Sequence, residues 1–205
     1  MKGVICIDKI GFYNLNLILS YLIIICKGSD FLKSIFYDID CLVSFLLIDR
    51  LDVLKNVFNK IYMSNKVFEL YTNPSISQDI RDGINELVRE EFIKIEEISL
   101  NTDEFDIYYS LINDGKTDRY IGKGEASTIA LAVKHKAIVL CNDCKNVGFY
   151  LEKYSLKSLN TADIIKRACQ KKIITRDDAE EIWDQMKKQG VLLPEDSFKQ
   201  YLKGL

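Results

Sequence analysis

GKGEASTIALAVKHKAIVLCND, residues 122–143, packs a helix and a strand into 22 residues and decides the fold. Gly122 and Gly124 precede a run from Glu125 to His135, whose small residues Ala126, Ala130 and Ala132 allow a helix to lie close to its neighbours. Ala137–Cys141 (AIVLC) follows as a short, wholly apolar strand that stops at the polar pair Asn142-Asp143. A strand apolar on both faces belongs in the middle of a parallel sheet covered on both sides by helices.

The same alternation extends outward in both directions. Upstream, Ser34–Asp38 (SIFYD) reads as a buried strand ending in an acid, and apolar residues at helical spacing follow over Cys41–Asp49 and Val53–Phe58. Ile61–Met63 is a second strand, followed by a helix around Val67–Tyr71 that Pro74 stops. Ser77–Glu91 is helical, with Ile80, Ile84, Leu87 and Val88 on one side, and Phe92–Ile98 is a third strand. Further helices are expected near Asp106–Asn113 and Val147–Lys153. From Thr161 the chain reads as helices only: Thr161–Cys169, Thr175–Gln189 and Glu195–Leu202. Here Gly190 acts as a stop and Pro194 sits in the last helix's first turn. Strands alternating with helices predict βαβ units, hence an α/β fold with a central parallel sheet between helical layers, plus C-terminal helices.

Composition narrows the function classes. With 205 residues and 48% hydrophobic content, the chain can bury a core without disulfides or metal staples. A formal charge of −2 excludes a uniformly basic nucleic-acid coat. It nevertheless averages two opposed segments. Asp79–Asp106 holds ten acids and three bases, and Lys134–Arg176 holds ten bases and three acids. If the fold gathers the second segment on one face, that face is basic. The six cysteines are scattered, most of them inside apolar runs, as expected in a reducing cytoplasm. Cys141 and Cys144 form a C-x-x-C, but with no second such pair and one histidine, His135, zinc lacks its other ligands. Near the N-terminus, Leu15–Cys26 is apolar, yet Lys27 ends it short of the ~20 residues a spanning helix needs. Residues 1–34 therefore read as an apolar extension upstream of the domain rather than a membrane span.

Acids recur at the ends of these elements. Asp38 closes the first strand with Asp40 two residues on, Glu69 lies in the helix after the second strand, Glu125 opens the Ala-rich helix, and Asp143 closes AIVLCN. In an open parallel sheet, ligands collect beyond the carboxyl ends of the strands. Carboxylates gathered there repel one another and call for a hard cation such as Mg²⁺ or Mn²⁺. Singly, Glu125 is equally well explained as an acid favoured at a helix N-terminus, and Asp143 as a helix cap.

YDIDCLVSFLLIDRLDVL (37–54), IYMSNKVFEL (61–70) and the 122–143 block together resemble the motif blocks of PIN-domain nucleases. The likeness is to the bacterial and archaeal branch with a G-E-A helix and a C-terminal helical extension, whose tail TADIIKRACQKKIIT (161–175) also resembles. The resemblance implies a PIN-like α/β/α sandwich over residues 35–165 and a helical extension packed on it over 166–205. It implies Asp38, Glu69, Glu125 and Asp143 as catalytic acids, with Asp38, Glu125 and Asp143 holding Mg²⁺ or Mn²⁺ and Asp40 as a further ligand. It also implies metal-dependent endoribonuclease activity through a metal-activated water, leaving a 5′-phosphate and a 3′-hydroxyl. Branch members are often toxins held by an antitoxin and often pair as homodimers, for which Leu42, Phe45 and Leu46 are candidate contacts. Lys134, Lys136, Lys145 and Arg167 are candidate contacts to an RNA backbone.

Two departures from the pattern keep a second reading open. Asp40 stands where the family has Asn or Ser, and the family's second acid falls at Leu70, one residue beyond Glu69. A degenerate, non-catalytic PIN-like module binding nucleic acid or protein would tolerate both. A phosphoacceptor receiver domain also places acids at strand ends, but no fifth strand bearing a lysine is legible here.

Overall fold

In a computed structural model, residues 35–37, 39–113, 121–142 and 144–204 are described, all within the unit Ser34–Leu205. The expectations for residues 1–34 lie outside the described residues. Five strands form one sheet: β1 (Ile35–Tyr37), β2 (Ile61–Ser64), β3 (Ile93–Glu96), β4 (Ile138–Leu140) and β5 (Lys157–Leu159). Their order is β3-β2-β1-β4-β5, and every neighbouring pair is parallel. Ten helices are described. The first five are α1 (Ile39–Leu46), α2 (Leu51–Val57), α3 (Asn65–Tyr71), α4 (Gln78–Arg89) and α5 (Asp103–Ile112). The others are α6 (Lys123–His135), α7 (Cys144–Lys153), α8 (Thr161–Gln170), α9 (Arg176–Lys188) and α10 (Phe198–Lys203).

The two-residue period of a strand divides the core into two. Phe36 and Val139 join a cluster with Leu111 of α5, Ile129 of α6 and Tyr150 of α7. Their neighbours Ile35, Ile138 and Leu140 face the other way, packing with Phe45 of α1, Leu54 of α2, Leu87 of α4 and Ile165 of α8. The result is the expected three-layer α/β/α sandwich around a parallel sheet. Trp183 of α9 and Phe198 of α10 belong to the second of these clusters, so the C-terminal helices share the sheet's own core. The boundary expected at 165/166 falls inside α8.

Three departures from the sequence reading have local causes. The first helix ends at Leu46 rather than Asp49, because Asp49 turns left-handed (φ 53°) and the Arg50 N–H returns to the Phe45 carbonyl at 3.0 Å. Strand β5 was not anticipated, since Lys157 and Ser158 are exposed and only Leu159 carries an apolar side chain inward. The last helix begins at Phe198, not Glu195, and Pro194 lies before it in irregular chain. Trp183 Nε1–H donates to the Glu195 carbonyl at 3.0 Å, and Ser197 Oγ accepts from the Gln200 N–H at 3.2 Å, which sets the cap at Ser197. Leu42 and Phe45 are wholly buried, which makes them core rather than a dimer surface.

Candidate metal centre at the carboxyl edge

Strand order fixes where a ligand can sit. From β1 the chain steps outward to β2 and β3, then crosses to β4 and steps the other way to β5. The reversal lies between β1 and β4, and a crevice opens beyond the carboxyl ends of such a pair. Asp38 follows Tyr37, the last residue of β1, and Asp143 lies three residues past Leu140, the last of β4. Both acids are themselves outside the described residues.

Glu125 enters this edge from the first turn of α6 and is half-buried. Its Oε2 accepts from the backbone N–H of Gly122 at 2.8 Å, which satisfies a helix-end donor and fixes the carboxylate's orientation. Its Oε1 has no hydrogen-bond partner among the described residues. One oxygen is therefore committed to orientation.

The helix is held against α3 by close packing and by a buried hydroxyl pair. A Cβ on Gly124 would stand 3.2 Å from Leu70 Cδ1 and 3.3 Å from Val67 Cγ2, tighter than ordinary contact. Ser64 Oγ and Ser127 Oγ are 2.6 Å apart. Ser127 donates to the Gly124 carbonyl at 2.7 Å, which leaves Ser64 to donate to Ser127. Ser64 Oγ in turn accepts from the Val67 N–H at 3.1 Å as the N-cap of α3. This relay couples the end of β2 to the first turn of α6. The sequence reading missed it because the two serines are 63 positions apart.

Glu69 lies on another face of α3. It is exposed and pairs with Lys66 at 3.1 Å, while Val67 and Leu70 face Gly124. Asp40 is exposed in the first turn of α1. Among the described residues no three of His, Cys, Asp and Glu lie close enough to hold a metal. A carboxylate oxygen such as those of Glu125 is the donor type that suits a hard divalent ion.

Asn142 also escaped the sequence reading, which took it only as a polar strand end. Its Oδ1 accepts from the Thr161 N–H at 3.0 Å and from the Cys41 thiol at 3.3 Å, tying the end of β4 to α8 and α1. Cys41 and Cys141 are buried in the core.

The cations nominated for RNA contact divide. Lys134 pairs with the buried Glu104, whose carboxyl this ammonium, donating to it, holds below its ordinary range. Lys134 stands about 14 Å along α6 from Glu125, and exposed Lys136 ends the same helix in a left-handed cap (φ 50°). Lys145 belongs to the first turn of α7, and half-buried Arg167 to α8.

A parallel α/β/α sandwich with the Glu125 carboxylate at the edge where its strand order reverses is the class this molecule belongs to. A family model described as DUF3368: PIN domain matches residues 35–205, and the chain belongs to this PIN-domain family. The PIN fold is a nuclease fold. The strand order also differs from the 2-1-3-4-5 order of receiver domains, which removes that reading despite the existence of β5. No curated protein matches the chain. No helix of the described residues is long and apolar enough to cross a membrane.

Proposed function

We propose that the chain is a divalent-metal-dependent endoribonuclease of the cytoplasm that hydrolyses RNA phosphodiesters at the β1–β4 edge. The observation that carries the proposal is the Glu125 carboxylate at this edge, oriented by Gly122 through Oε2 and with no partner for Oε1 among the described residues. Asp38, Glu125 and Asp143 hold Mg²⁺ or Mn²⁺, with Glu69 and Asp40 in support. A divalent ion so held supplies Lewis acidity for phosphodiester chemistry. The Gly122 N–H keeps Glu125 in one orientation, and Asn142 anchors the strand end from which Asp143 follows. A toxin role belongs to the same proposal and requires an antitoxin that covers this edge.

Cleavage of RNA by purified protein in Mg²⁺ or Mn²⁺ tests the activity. Glu125→Gln keeps an acceptor for the Gly122 N–H but loses the charge, so the rate falls at least about 100-fold while the fold is retained. Asp143→Asn has the same effect. Equal cleavage by wild type and both variants would assign the activity to a contaminant.

The pairing of Glu69 with Lys66 favours the second reading, a non-catalytic PIN-like module. Calorimetric titration with Mn²⁺ separates the two, since the module binds no ion at millimolar concentration.

A further inference from the structure

A small cavity lies over the carboxyl ends of β4 and β5. It measures about 180 Å³ and is lined by Asn142, Asn160, Ala162, Leu192, Leu193 and Pro194. Asn142 lies two residues past the end of β4, and Asn160 directly follows β5. The cavity therefore opens on the same edge as the candidate metal centre, beside the residue that precedes Asp143. Clefts for drug-sized ligands run ~300–1,000 Å³, so this one has room for a single small group.

Both carboxamides are oriented by their partners. Asn142 Oδ1 accepts from the Thr161 N–H, and Asn160 Oδ1 accepts from the Asp163 N–H at 2.9 Å. A backbone N–H can only donate, so the oxygens are placed and the amide nitrogens are the groups left over. Neither Nδ2 has a partner among the described residues. The hydroxyl of Thr161, next in the chain to Asn160 and fully buried, likewise has no partner there. The remaining lining is apolar, and Leu192 at the rim is 88% exposed. The lining thus combines two asparagines, whose amide oxygens are engaged elsewhere, with an apolar wall.

We infer that this cavity is a nucleobase subsite for the RNA substrate, selecting a base with two adjacent acceptors on one edge. Guanine has O6 and N7 side by side and cytosine has N3 and O2, whereas adenine places an –NH₂ donor beside each of its N1 and N7 acceptors. Leu192 and Pro194 supply apolar surface against the base. The inference rests on the ribonuclease reading for the source of the base, and its test does not depend on catalysis.

Nucleotide binding to the full chain is followed through the side-chain NH₂ resonances of Asn142 and Asn160. Guanosine 5′-monophosphate shifts both and binds about tenfold more tightly than adenosine 5′-monophosphate. Asn160→Asp keeps the N-cap, since Asp caps as well as Asn, but replaces the donor by an acceptor. It lowers guanosine nucleotide affinity about tenfold, with the unfolding midpoint unchanged. Unshifted amides, equal affinity for the two nucleotides, or full affinity in Asn160→Asp overturns the subsite. Absence of RNA cleavage with the amide shifts present overturns the nuclease reading alone. Cleavage without amide shifts overturns the subsite alone.

Discussion

Ser64 and Ser127 stand 2.6 Å apart, Oγ to Oγ, in a wholly buried position between β2 and α6. Each hydroxyl has a second task, Ser64 as the cap of α3 and Ser127 as donor to the Gly124 carbonyl. Removing one leaves the other buried and short of a partner, a loss of about 1–3 kcal/mol. The double variant Ser64→Ala/Ser127→Ala is then less destabilised than the sum of the singles, by at least about 0.5 kcal/mol. Urea unfolding of the four proteins measures the coupling, and strict additivity would show that the hydroxyls act independently.

Gly124 gives a second reading of the same contact. Gly124→Val drives a branched side chain into Val67 and Leu70 and costs about 1–3 kcal/mol. Gly124→Ala meets only the exposed end of Leu70 and the edge of Val67, and its gain in helix propensity offsets much of the clash. Denaturation should therefore separate Val from Ala at this position.

Glu69 and Glu125 differ in what surrounds them. Glu69 is exposed and paired with Lys66 on a face of α3 other than the one packed on Gly124. As a supporting acid, Glu69→Gln lowers the cleavage rate by about tenfold, against at least about 100-fold for Glu125→Gln. Single-turnover rates at saturating metal decide this, and equal losses would place Glu69 in direct contact with the ion.

The Glu104–Lys134 pair predicts an acid response. Hydrogen bonding from Lys134 lowers the Glu104 pKa in the folded state below its ordinary 4.5. The unfolded chain then binds this proton first, so the stabilisation is complete above the ordinary value and drains away as pH falls through the lowered one. Glu104→Gln removes that dependence. The stability difference between wild type and Glu104→Gln should shrink between about pH 5 and pH 3. A constant difference across that range would refute the coupling.

Tyr201 predicts the alkaline counterpart. Its hydroxyl is partly buried and donates to Asp163 Oδ1 at 2.8 Å; burial first, and then this bond, push its pKa far up. Above pH 10 the unfolded tyrosine loses its proton while the folded one keeps it, so stability falls as pH rises. Tyr201→Phe should flatten this decline, measured by urea midpoints between pH 9 and pH 11. An unchanged slope would show that Tyr201 makes no such contribution.

The sandwich was legible because its central strands are apolar on both faces and end in polar residues. Ile35–Tyr37 and Ile138–Leu140 could be placed to within a residue or two for that reason. Lys157–Leu159 could not, since two exposed polar side chains at a sheet edge look like a loop. The start of the last helix was misjudged because Pro194 is a fair first-turn residue, and nothing local announces the bond from Trp183 to the Glu195 carbonyl. Acids at element ends could be nominated from position alone. Which face of α3 carries Glu69, and which hydroxyls and amides hold the edge together, depends on contacts between residues distant in the chain.

The polar character that hid β5 has a further effect. Among the described residues the sheet ends at β3 on one side and at β5 on the other, and each carries an exposed lysine, Lys94 and Lys157. A charged ammonium on a short border strand discourages a foreign strand from adding its backbone there. Charge thus acts against growth at both margins of the described sheet. Self-association of the described unit through side chains on its helices would leave the hydrogen-bonded framework at the carboxyl edge undisturbed.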